Sequence, residues 1–279
     1  MRKTLFLAAI AVLSLAASSC RKGTELPRIS IFCDHIETIA RQEGISFAEA
    51  ATLIKEAGYA GADIRVFQKP EEIKTLDSLG FAHACAITDI NYSAGDQKEL
   101  EDKTLAFMKE RGFERLLLVT GLMPAQGYSQ IEREAARSRI AAFAARVTAE
   151  GFDIMVEDYD NRRSLCYDAA RLDSLFAVSR DLGLAFDSGN FLFAGDDPME
   201  QLAHFRGRIK HVHLKDRTSP TDMTCKPVGT GCIDMAGIVR TLVDSGYDNW
   251  LTVEQYGSRN MLEDSRTSIR NVTALLASE

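Results

Sequence analysis

The feature that most constrains this sequence is a regular alternation. Apolar, strand-like runs recur eight times, at 29–33, 60–66, 82–87, 116–119, 153–157, 184–187, 209–216 and 250–254, with helical stretches between them. The helices announce themselves by their ends. Ser46 and Glu49 make a capping box ahead of a helix closed by Gly58, Pro70 opens one that stops at Gly80, and a charged helix over 96–111 ends at Gly112. A long Ala/Arg helix over 131–150, one over 168–181, a short one from Pro198, one over 235–245 and a last one reaching 277 complete the set, with Gly183 punctuating the approach to the sixth strand. Strands separated by single helices pair in parallel, and eight such units in roughly 250 residues are what a closed (β/α)8 barrel needs. The expected fold is therefore α/β, a single TIM barrel over 28–279. An open doubly wound sheet is the alternative, weakened by the lack of a Gly-rich fingerprint after the first strand.

The N-terminus is different in kind. Arg2 and Lys3 precede an apolar run over 5–17, and Ala17-Ser18-Ser19 sets small residues before Cys20. About thirteen apolar residues fall short of a bilayer-spanning helix, so 1–19 reads as a cleaved export signal and 20–27 as a tether. The segment resembles a bacterial lipoprotein signal, departing from it at Ala17, where that family usually has Leu. The resemblance implies a lipid anchor on Cys20 as the one membrane contact, with the protein in the periplasm or on the cell surface. Ordinary secretion with an unmodified Cys20 is the alternative. Cleavage removes Arg2 and Lys3 and takes the formal charge from −7 to −9, which argues against a nucleic-acid partner, since phosphate contacts need clustered Lys and Arg. Of the six cysteines, Cys33 and Cys85 lie in apolar runs that suit buried thiols, Cys225 and Cys232 are close enough to pair across a Gly-rich loop, and none has zinc-finger spacing.

Four strand-like runs end in residues that can do chemistry. Three finish on the carboxylates Glu157, Asp187 and Glu254, and the run over 209–216 carries His211 and His213, which alternation puts on one face, followed by Lys215 and Asp216. In a barrel, functional sites sit at the C-terminal ends of the strands, so Glu157, Asp187, His213 and Glu254 should ring one mouth on four successive strands. Three crowded carboxylates repel unless a cation holds them. Three oxygens with one imidazole suit a single divalent ion, Mn²⁺, Mg²⁺ or Co²⁺, with Zn²⁺ admissible.

At these residues the chain resembles the xylose-isomerase-like barrel superfamily, in the sugar phosphate isomerase/epimerase group. The motifs are Val156-Glu157, the run from Leu182 to Asn190, His211-Val-His-Leu-Lys-Asp216, and the run from Val228 to Asp234 leading to Val253-Glu254. The resemblance implies that Glu157, Asp187, His213 and Glu254 are metal ligands and that Glu157 and Glu254 double as the acid/base pair. Two glutamates on opposite faces of an enediolate epimerise a hydroxyketone, while one base moving the proton between neighbouring carbons interconverts aldose and ketose. Lys215 would add positive charge beside the developing oxyanion, with Asp216 orienting it. Asn190 stands where the family often has histidine, and is expected to bind substrate together with His211 and, more weakly, Asp63. The expected ligand is a small carbohydrate, and because export separates the chain from sugar phosphates, an unphosphorylated one. Two alternatives share the site: a lyase that eliminates the aglycone of a 3-keto-glycoside, and a sugar-binding lipoprotein without turnover. The superfamily's three-zinc endonucleases are excluded by the acidic charge and the total of only five histidines.

Overall fold

Eight parallel strands close on themselves in the computed structural model, which describes residues 26–278. The proposed signal and Cys20 lie outside the described residues, as does most of the tether. The barrel strands are β1 (Arg28–Phe32), β2 (Gly61–Arg65), β3 (Ala82–Asp89), β4 (Arg115–Val119), β5 (Asp153–Glu157), β6 (Leu182–Asp187), β7 (Ile209–Leu214) and β10 (Trp250–Val253), with β10 pairing back to β1. Two further strands, β8 (Asp216–Ser219) and β9 (Asp222–Lys226), form an antiparallel hairpin beyond β7. Closure removes the open-sheet alternative.

The outer face of each strand joins an apolar shell with the surrounding helices, which include α2 (Phe47–Ala57), α3 (Pro70–Ser78), α4 (Lys98–Arg111), α5 (Gln130–Ala149), α9 (Met235–Asp244) and α10 (Met261–Ala277). The inward face divides in two. Phe32, Cys85, Ile87, Leu117, Met155 and Ala185 form a small apolar cluster inside the barrel, whereas Ser30, Asp63, His211 and Thr252 form a hydrogen-bonded polar knot beside it. At the lower end the Trp250 ring packs over Gly61. A Cβ there would lie 2.7 Å from the indole, so the bare backbone is what lets the ring pack there.

Several local expectations need correction. Strand β1 ends at Phe32, and α1 (Cys33–Glu43) begins at once, because Cys33, Ile36 and Ile39 recur at helical spacing and bury against the barrel. Helix α6 is only Ala169–Phe176, capped by Asp168, and Gly183 lies inside β6, where a Cβ would meet the Lys210 stem. An unexpected helix, α7 (Ser188–Ala194), follows β6 directly, and α8 (Pro198–His204) comes after it. Cys225 on β9 and Cys232 are free thiols rather than a pair.

Candidate active site

The sequence-predicted quartet converges. Glu157 ends β5, Asp187 ends β6, His213 is next to last on β7, and Glu254 immediately follows β10. Parallel register sets Asp187 beside His213, and His213 beside Thr252. One ligand atom from each of the four lies within 4.8 Å of the others, and all four side chains are buried. His213 Nδ1 is 2.5 Å from Glu157 Oε1 and 3.2 Å from Glu254 Oε2. Asp187 divides its two oxygens: Oδ1 accepts the Gly189 and Asn190 N–H groups as the cap of α7, and Oδ2 turns toward the cluster.

Lys215 closes the group. Its ammonium lies 2.5 Å from Glu254 Oε1, 2.9 Å from Asp187 Oδ2 and 2.9 Å from Asn190 Oδ1. Gly189 makes that position reachable, since a Cβ there would meet Lys215 Cγ at 2.8 Å. With all three carboxylates ionised and His213 neutral, the state a metal ion requires, the ammonium offsets one carboxylate and leaves two negative charges, the complement of a divalent cation. Asp187 Oδ2 and Glu254 Oε2 are buried and meet only the ion-pair contacts with Lys215 and His213, without an aligned hydrogen bond, so both have lone pairs to give and the donor set fits a metal ion.

The ionisation of the protein alone reflects the same crowding. Burial, then the neighbouring carboxylates Glu254 and Glu157, push Asp187 up to about 8 against the pull of Lys215. Burial raises Glu157 as well, against His213. Glu254 is buried too, yet Lys215 and His213 outweigh that and hold its carboxyl well below the ordinary range. Burial works against the charge on His213, but Glu157 and Asp63 prevail and its pKa rises.

The remaining predicted residues fall in different places. Asn190 lines the cavity, but its amide is engaged: Nδ2 donates to the Asp158 carbonyl, and Oδ1 accepts from Lys215 and Arg217. Asp63 and His211 lie beneath the cavity, both fully buried, instead of facing a substrate. Asp63 Oδ2 is 2.8 Å from His211 Nε2 and 3.5 Å from His213 Nε2, while Thr252 donates to Oδ1. Asp63 therefore holds the His211 ring by a hydrogen bond and stands behind His213 as an ion-pair contact, while Nδ1 of His213 turns to the quartet. Asp216 departs most from expectation. It does not orient Lys215; its oxygens accept the N–H groups of Arg217, Gly229, Gly231 and Ile233 and so hold the Gly-rich loop against the barrel.

Above the quartet opens a cavity of about 400 Å³. Phe32, Ile87, Leu117 and Val119 make one wall, while Asp160, Asn190, Lys215 and Arg217 make the opposite one. Arg217 and Tyr256 escaped the sequence reading. Arg217 is buried and ties the hairpin to the site, donating to the Met223 carbonyl at 2.6 Å and to Asn190 Oδ1 at 3.2 Å. Its only signal was a cation directly after Lys215-Asp216. Tyr256 donates to Asp34 Oδ2 across 222 positions, which nothing local foretells.

A closed parallel barrel of this kind is the sugar isomerase/epimerase-like TIM barrel fold. Residues 51–275 match the xylose isomerase-like TIM barrel family, and the chain belongs to it. Inosose dehydratase of Lacticaseibacillus casei is 25% identical over 247 residues, spanning 75% of this chain and 82% of that one. Among solved structures, a D-allulose 3-epimerase from Methylomonas sp. superposes with a TM-score of 0.72 at 14% identity, covering 90% of this chain and 98% of that one. A xylose isomerase-like TIM barrel protein from Mycobacterium smegmatis, in complex with magnesium, gives 0.68 at 16% identity, with 91% and 97% covered.

Proposed function

We propose that this chain is a divalent-metal-dependent enzyme that removes the proton beside the carbonyl of an unphosphorylated keto-sugar or keto-polyol. The observation that supports it most is the convergence of four buried donors, Glu157, Asp187, His213 and Glu254, whose ligand atoms lie within 4.8 Å of one another beside Lys215. Mg²⁺ or Mn²⁺ is the favoured ion, given the oxygen-rich donors and the relative solved with magnesium. A bound ion would polarise the substrate carbonyl and stabilise the enediolate. Glu254, held ionised by Lys215, is the base that takes the proton. Glu157, across the quartet at the end of β5, is the acid that returns a proton in the second half of the reaction.

From the enediolate two outcomes follow. If Glu157 returns a proton to carbon from the opposite face, the product is the epimer. If instead the electron pair expels the oxygen substituent on the next carbon, that C–O bond breaks, the leaving oxygen takes the proton of Glu157, and an unsaturated ketone remains. The likeness to an inosose dehydratase over most of the chain favours this second reading.

The absence of phosphate from the substrate is supported by the cavity's cations. Arg65 is paired with Asp34 and Asp89, Lys215 with Asp187 and Glu254, and Arg217 with Asp160 and the hairpin backbone. Export and lipidation at Cys20 belong to the same proposal, resting on the pattern of residues 2–20. Mass spectrometry of membrane-extracted protein tests that part, an unmodified Cys20 on a soluble species ruling it out.

The deciding experiment incubates metal-loaded protein with keto-sugars, keto-polyols, 3-keto-glycosides and sugar phosphates in D₂O, with deuterium followed by NMR. Exchange at the carbon beside the carbonyl is expected with unphosphorylated substrates. Exchange confined to phosphorylated ones would refute the substrate class, and loss of water or an aglycone identifies the eliminating enzyme.

A further inference from the structure

Beside the catalytic cavity lies a second hollow of about 320 Å³, and the two share Arg65, Ile87 and Asp89 as a common wall. Its most conspicuous member is Phe67, in the turn between β2 and α3, a residue 65% exposed. Such exposure is costly for an aromatic side chain that covers nothing. Phe67, Phe193 and Tyr256 are the exposed aromatic rings among the described residues, and two of them border these adjoining hollows: Phe67 the outer one and Tyr256 the catalytic one.

Around Phe67 the polar groups are numerous but already matched. Arg65 bridges Asp34 at 2.9 Å and Asp89 at 2.6 Å. Lys69 pairs with Glu72 at 2.7 Å and reaches Glu37 at 3.4 Å, and Gln68 donates to Glu37 at 3.0 Å. Each cation has a carboxylate partner, and with Asp34, Glu37 and Asp89 set against Arg65 and Lys69 the lining keeps an excess of negative charge, which disfavours an anionic ligand. The hollow does offer carboxylate oxygens with spare lone pairs, an amide and one apolar face. A pyranose ring has the matching character: hydroxyl groups around its edge, and a face of C–H bonds that packs on an aromatic ring.

We propose that this hollow is a second subsite, which takes a neutral sugar unit joined to the keto-sugar held over the quartet, with Phe67 as its platform. The proposal rests on the catalytic reading above for the identity of the first unit. It makes the preferred substrate a glycoside of at least two units, bound across the Arg65–Asp89 pair.

The test is a preference, measured on the full metal-loaded chain. Wild type should favour a two-unit keto-glycoside over the matching keto-monosaccharide in kcat/KM, and Phe67→Ala should cut that ratio about fivefold to tenfold, the loss of one stacking contact. An equal effect on both substrates, or on neither, overturns the subsite. Phe67→Tyr should keep the preference, which separates the lost ring from a disturbed turn. Binding of an unreactive reduced disaccharide, read by NMR at the Phe67 ring protons, is independent of turnover. A disaccharide advantage that Phe67→Ala abolishes upholds the subsite even where no keto-sugar exchanges its proton, a result that would sink the catalytic reading alone. Equal affinity for mono- and disaccharide overturns the subsite whatever the enzyme does.

Discussion

The two halves of the barrel mouth use the same backbone for opposite ends. Strands β5, β6, β7 and β10 are neighbours in the closed sheet, and their C-terminal ends present Glu157, Asp187, His213 and Glu254. Strands β1, β3 and β4, from the other half, face the same cavity with Phe32, Ile87, Leu117 and Val119. The charged half could not work in the same way alone. Three carboxylates fully hydrated by an open mouth would interact weakly, and the apolar wall keeps water from one side and strengthens each electrostatic contact on the other. The lesson is a division of labour: one half supplies charge, and its partner supplies the low-dielectric setting that gives the charge its effect.

The largest effect that sharpens this contrast comes from the charged half. Glu157→Gln and Glu254→Gln should each lower proton exchange by about 10²-fold or more, the scale of a lost general base or acid, while folding is retained. Circular dichroism beside deuterium NMR separates the two. Retained exchange in both variants would move the chemistry elsewhere in the mouth.

Next in size is a prediction that could break the division. Asp63 sits on β2, in the quiet half, yet it reaches under the cavity to His211 and His213. Burial opposes its charge, but those imidazoles outweigh burial and hold its pKa at about 2. Asp63→Asn should weaken metal affinity by about tenfold, the lower end for a partner behind a metal-binding histidine, since its contact with His213 Nε2 is an ion pair at 3.5 Å. Calorimetry measures it. Unchanged affinity would confine the chemistry to β5, β6, β7 and β10.

A smaller effect concerns pH. In the metal-free protein Asp187 keeps its proton up to about 8, because burial and the facing glutamates disfavour the charge. Metal binding requires the ionised form, so each proton competes with the ion. Affinity should therefore fall as pH drops below 8, by at least roughly tenfold per unit, since His213, whose pKa is also raised, must give up its proton as well. Calorimetry in buffers of different ionisation enthalpy should detect the released proton; affinity independent of pH between 6 and 8 would contradict the crowding.

What the sequence disclosed follows the same boundary. The barrel was legible because period-two apolar runs alternate with capped helices, and the quartet because each member terminates, or nearly terminates, a strand-like run. Roles that depend on distant partners were not. Asp63 meets His211 across 148 positions, and only that contact reveals it as a support rather than a substrate ligand. Asp216 follows Lys215 in sequence, but its side chain turns back to the Gly229–Gly231 backbone. Helices α1 and α7 were hidden because each begins at the residue after a strand, α1 with no polar cap and α7 behind an Asp-Ser-Gly-Asn run that reads as a turn. Asp187 both ends β6 and caps α7, two local roles that one-dimensional patterning cannot separate from a ligand role.

The smallest effect tests the apolar half on its own terms. Ile87 is almost wholly buried, belongs to the apolar cluster inside the barrel, and forms part of the wall shared with the Phe67 hollow. Ile87→Val removes one methylene without adding polarity, so the cost in stability should be about 1 kcal/mol, read from denaturant unfolding. Its catalytic effect should be only a few-fold and should appear mainly in KM, because a wall that excludes water and shapes the ligand acts on substrate and transition state alike. The Glu157 and Glu254 variants should instead lose kcat. A fall in kcat for Ile87→Val as large as theirs would mean that the apolar half controls the chemical step itself, and the division between the two halves of the mouth would no longer hold.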